Sequence, residues 1–136
     1  MKYSLDNISV CIAMPVHRDI PPKTVMALVE TCAVLGERKI PYTVSFNQGG
    51  AIIQKSRSHI AKDFLATTFN RLLMIDSDIR WHPKSVLRLL ELSTVMDVVV
   101  ATYPQRELPI TFRVNAADKV KTNEHGCIPI RGAGLG

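Results

Sequence analysis

Along the chain, short unbroken apolar runs alternate with stretches in which apolar residues recur every three or four positions. Residues 8–16 (ISVCIAMPV) are nearly all apolar, which predicts a strand buried on both faces. Pro21-Pro22 then opens a helix, because the proline ring is pre-set for a first turn. In that helix Val25, Leu28, Val29, Cys32 and Leu35 fall on one stripe, and Gly36 lies near the stop. Residues 40–46 (IPYTVSF) predict a second strand, closed by the turn-prone Asn47-Gln48-Gly49-Gly50. A second helix is expected over about residues 51–66, with Ile53, Ile60, Ala61 and Phe64 facing inward. Residues 72–75 (LLMI) predict a third strand that runs straight into Asp76-Ser77-Asp78. Pro83 opens a third helix carrying Val86, Leu87 and Leu90, and residues 97–101 (DVVVA) predict a fourth strand.

Strands alternating with helices, with the strands continuously apolar, define an α/β fold. The expected architecture is a mostly parallel sheet with helices on both faces, in a Rossmann-like arrangement. The sequence shows no internal repeat and no low-complexity segment. After Pro104 the character changes: residues 110–114 suit a strand, and residues 120–130, around Asn123 and Gly126, suit a hairpin. One domain over residues 1–136 is expected. Its end in a glycine-rich loop, Gly132-Ala133-Gly134-Leu135-Gly136, reads as incomplete at the C-terminus.

Composition narrows the partners more than the fold. With 136 residues, 46% hydrophobic and 21% charged, the chain can bury a core of ordinary size. No run approaches the roughly 20 apolar residues of a membrane span. The N-terminus lacks the apolar core of a signal peptide, so a cytoplasmic protein is expected. The net charge of +5 suits an anionic partner. Bases such as Lys55, Lys62, Arg80 and Lys119 are scattered and not interleaved with aromatics, so a nucleic-acid surface is not expected. The three cysteines lie far apart, and Cys11 and Cys32 fall on apolar positions, which points to reduced, buried thiols. His59 and His82 are expected at the surface, and no histidine pair has zinc spacing.

Asp76 and Asp78 carry the chemistry. Acids at the end of a buried strand are costly unless paired or bound to a cation. In open α/β sheets that end is where ligands bind. Residues i and i+2 of an extended segment share a face, so both carboxylates can address one site. Hard oxygen ligands suit Mg²⁺ or Mn²⁺ held together with substrate phosphates. The competing reading is a helix N-cap, but Pro83 lies too far downstream to explain both acids. Arg57 lies four residues after Ile53 and three and four before Ile60 and Ala61, on their inward stripe. An inward arginine needs an anionic partner, either a diphosphate or Asp76; the alternative is a side chain that snorkels to solvent.

The MPVHR strand end, the Gly49-to-Arg57 helix start, the apolar strand with Asp76-x-Asp78 and the Val-Val-Ala-x-Tyr segment together resemble the GT-A glycosyltransferases. The similarity is to the family 2-like group and covers residues 8–136. It implies that Pro15 and His17 line the base and ribose pocket. Asn47 falls where the family often has an acid on the base, and Arg57 matches the arginine of its Ala-Arg-Asn helix start, with Ser56 and Ser58 as departures. The resemblance also implies that Asp76 contacts the ribose and the metal, that Asp78 binds the metal, and that Mn²⁺ or Mg²⁺ is the cofactor. Gly132-x-Gly134 resembles the family's loop beside the sugar and the acceptor. The partners implied are a nucleotide-diphosphate sugar and an acceptor that the residues do not define. Inverting members use an acid downstream of that loop as base, so the base is expected beyond Gly136. The chain is therefore expected to bind a sugar nucleotide but to transfer sugar poorly. Glu107, Asp118 and Glu124 are spare acids in expected loops.

Three other readings stand beside this one. A haloacid-dehalogenase-type phosphatase wants a small residue two positions after the second aspartate, where this chain has Arg80. A nucleotidyltransferase wants a glycine-rich loop where this chain has Met14-Pro15-Val16-His17-Arg18. A nucleotide-binding module or inactive fragment needs no base at all.

Overall fold

The computed structural model describes residues 3–48, 52–104, 108–112, 114–116 and 121–132. Strand β1 (Val10–Val16) lies between β2 (Tyr42–Gln48) and β3 (Arg71–Met74) in an all-parallel sheet of order β2-β1-β3. Every residue of β1 is buried, as its unbroken apolar run requires. Val10, Ile12, Met14 and Val16 join one core with Leu28 and Leu35 of α1 (Pro22–Glu37) and with Val86, Leu87 and Leu90 of α3 (Pro83–Leu92). Helix α2 (Ile53–Leu65) packs on β1 and β2. The chain leaves β1 for β2 on one side, then crosses back to β3 on the other. With right-handed crossovers, that reversal sends α1 and α2 to opposite faces of the sheet.

The register aligns Val10 with both Tyr42 and Arg71, and Ala13 with both Ser45 and Met74. One further bond, Ile75 N–H to the Ala13 carbonyl at 3.1 Å, extends the β1–β3 ladder by a residue. At the opposite end, the Asn70 side chain accepts from Ser9 N–H and donates to the Asn7 carbonyl, which anchors the start of β3.

The helix starts follow proline chemistry, with Pro22 and Pro83 each in a first turn. The face of α1 differs from the hydrophobic pattern. Its buried residues are Thr24, Ala27, Leu28, Thr31 and Leu35, whereas Val25 and Val29 are exposed. The turn that ends α1 uses Lys39 in the left-handed region, φ 56°, instead of Gly36. In α2 the buried residues are Ser56 and Ile60, and Ile53 is exposed.

Residues 97–101 form no strand, and Val98 and Val100 are exposed. Valine's β preference is realised only against a partner strand, and among the described residues this segment pairs with none. Residues 110–112 and 114 carry no strand either. The antiparallel pair that does form joins β4 (Asn115–Ala116) to β5 (Ile130–Gly132). The Asn123 carboxamide closes the turn between them by accepting from the N–H groups of His125 and Cys127. The chain divides into two compact units, Met1–Val95 and Met96–Gly136. No helix among the described residues is long and apolar enough to cross a membrane.

All three cysteines are free thiols. Cys11 lies within β1, and burial pushes its thiol above the ordinary range. A raised folded pKa keeps the thiol neutral through pH 8 and removes stability only as pH rises past the unfolded value. Iodoacetamide at pH 8 is therefore expected to label Cys11 only after unfolding. Equal labelling of native and urea-unfolded protein, read by peptide mass, would contradict this burial.

Candidate functional site

The carboxyl ends of β1 and β3 open into a cleft of about 380 Å³. Pro15 and Val16 end β1 there, and His17, Arg18 and Asp19 continue the wall. Asp76, Ser77 and Asp78, just past β3, form the facing wall, and Ile53 and Ser56 of the first turn of α2 complete it. This is the place where the strand order reverses, the position at which open α/β sheets bind ligands.

Arg57 does not line the cleft. It stands behind the acidic wall, and its Nη2 donates to Asp76 Oδ1 at 2.7 Å. Their side chains are 11% and 26% exposed, so the pair is mostly withdrawn from water. Of the two partners expected for an inward Arg57, Asp76 is the one it bonds here. Arg57 Nε is buried and has no hydrogen-bond partner. A carboxylate offers about four acceptor positions, so the guanidinium bond is compatible with a second cation on Asp76.

The N-cap reading of the acids does not hold. The N-cap of α3 is His82, whose Nδ1 accepts from Lys84 N–H at 3.1 Å. Neither Asp76 nor Asp78 is therefore the N-cap of α3. The N-terminus of α2 also meets this cleft. It has no acid in its own first turn and no side-chain cap from Ile52.

The structure brings Pro15, His17, Asp76 and Asp78 together, with Arg57 one step behind them. Asn47 is half-buried and aligned with Pro15 on the neighbouring strand, outside the cleft walls. Arg18, Asp19, Ser56 and Ser77 were not anticipated as site residues. Their signal was positional: three immediately adjoin predicted residues, and Asp19 follows in the same loop. Gly49, Gly50, Glu107, Asp118 and Gly134 lie outside the described residues. Glu124, in the other unit, pairs with His125 at 3.6 Å.

The donor set tests the metal. Among the described residues no three His, Cys, Asp or Glu side chains converge as a cation cage. Two hard carboxylates on one cleft wall fit Mg²⁺ or Mn²⁺ in a different way, because these ions commonly take one or two protein carboxylates plus phosphates and waters. The residues therefore fit an ion shared with a ligand, not one held by protein alone. No family model, no curated protein and no solved structure matches the chain.

Proposed function

We propose that the cleft binds the diphosphate of a nucleotide sugar through Mn²⁺ or Mg²⁺, and that the chain is a glycosyltransferase or its donor-binding part. The observation that carries this reading is the shared wall of Asp76 and Asp78, with Arg57 bonded to Asp76 from behind. In the reaction, an acceptor hydroxyl oxygen attacks the anomeric carbon as the sugar–phosphate bond breaks, the diphosphate leaves with its electron pair, and the hydroxyl proton passes to water. A bound divalent cation supplies charge stabilisation to that leaving group. Asp78 and Asp76 hold the cation, Arg57 orients Asp76, and Pro15 and His17 form the opposite wall for the nucleoside. Asn47, beside Pro15 on β2, lies next to that wall, and the N-terminus of α2 favours phosphate.

The test is calorimetry with uridine diphosphate, once in Mn²⁺ and once in EDTA. Binding is expected to be tighter in Mn²⁺, because acids facing a diphosphate repel it without a bridging cation. Equal affinity in the two conditions would remove the metal from the proposal. Diphosphate release and product, followed over a panel of sugar nucleotides and acceptors, separate a transferase from a binding module.

A further inference from the structure

Two threonines on the buried stripe of α1 do more than fill the core. Thr24 and Thr31 are each 1% exposed, at positions where valine has nearly the same shape. Both hydroxyls are engaged by the segment that follows Asp78. Thr24 Oγ1 donates to the Ile79 carbonyl at 2.7 Å. Thr31 Oγ1 donates to the Ala27 carbonyl at 2.7 Å and accepts from Trp81 Nε1 at 2.8 Å. Ile79 directly follows Asp78, and Trp81 is two residues further on.

The segment from Ile79 to His82 has no helix or strand of its own to hold it. Upstream, the bond from Ile75 N–H to Ala13 fixes the chain just before Asp76. The turn bearing both carboxylates is therefore clamped at each end, by β1 before it and by α1 after it. Thr24 also lies in the first turn of α1, where its N–H donates to the Pro21 carbonyl at 2.9 Å. That turn directly follows the loop that carries His17, Arg18 and Asp19. One helical turn thus ties together the two loops that wall the cleft.

We propose that Thr24 and Thr31 are positioning residues for Asp76 and Asp78, acting through the backbone of Ile79 and the indole of Trp81. The proposal rests on the reading of the two aspartates as a cation and diphosphate site. Partners one step removed from a metal ligand typically change metal affinity by about 10- to 100-fold when lost. A backbone bond that leaves the fold intact belongs at the low end of that range.

The experiment compares wild type with Thr24→Val, Thr24→Ser and Thr31→Val by calorimetry with uridine diphosphate, in Mn²⁺ and in EDTA. Thr24→Val is expected to lose about tenfold in affinity in Mn²⁺ while its affinity in EDTA stays at the wild-type value. Thr24→Ser retains the donor and is expected to keep the full Mn²⁺ gain. Thr31→Val leaves the indole without its acceptor, so the emission of Trp81, the single tryptophan of the chain, should shift along with the loss. The proposal is overturned by a folded Thr24→Val or Thr31→Val that keeps the whole Mn²⁺ gain. It is equally overturned by a Thr24→Ser that loses the gain, or by equal losses with and without metal. A wild-type chain with no Mn²⁺ gain sinks the metal reading itself, and this proposal with it.

Discussion

Replacing Asp78 by alanine is expected to weaken Mn²⁺-dependent binding of uridine diphosphate by about 100-fold, leaving only the affinity seen in EDTA. Asp78 is the more exposed of the two cleft aspartates, and the N-cap of α3 is His82 instead. In the proposed site this carboxylate is a cation ligand. Losing a group one step removed from a metal already costs about 10- to 100-fold, so losing a ligand belongs at the top of that range. Asparagine keeps the shape but removes the charge, and should lose nearly as much, because hard divalent cations select anionic oxygen. Circular dichroism checks that the fold persists. A folded Asp78→Ala protein with wild-type affinity in Mn²⁺ would show that this carboxylate holds no cation.

Arg57→Ala should weaken nucleotide binding by about 1.5–3 kcal/mol, or roughly ten- to a hundredfold. The guanidinium touches Asp76, not the cleft, so the loss acts through the carboxylate. With Arg57 gone, Asp76 keeps a mostly withdrawn charge and loses the 2.7 Å bond that sets its direction. Lysine should restore part of the affinity, since it returns the charge without the planar fork. The dissociation constants of the three proteins, measured beside their thermal midpoints, decide the matter. An alanine variant that binds like wild type would make the ion pair an ornament of the fold.

The parts of this structure legible in the sequence were those governed by burial alone. The run through β1 announced a strand buried on both faces, and Pro83 with Val86, Leu87 and Leu90 announced α3. The strand before Asp76, expected to be central, is instead β3, beside β1 at the edge of the described sheet. Asp76 and Asp78 were legible because acids at the end of an apolar strand conflict with their surroundings. The parts missed were governed by hydrogen bonding. Hydrophobicity placed Val25 and Val29 inward on α1, whereas the buried face is rotated to bring Thr24 and Thr31 inside. Their hydroxyls are satisfied by Ile79 and Trp81, partners 55 and 50 positions away, which no local pattern encodes. His82 as an N-cap was hidden for a similar reason, because imidazole is not among the usual capping side chains. Residues 97–101 show the converse case, a β-prone segment without a neighbouring strand.

The central place of β1 also sets an order of events during synthesis. Its two neighbours are made later, and the pairing of Ser9 with Asn70 spans 61 positions. At about 5–20 residues per second, a ribosome needs roughly 3–12 s to cover that distance. Throughout that time the most apolar strand of the chain is out, with at most one edge paired. Parallel pairs between distant segments also close slowly once their partners exist. The strand that anchors the finished sheet is thus made before either of the strands that cover its edges.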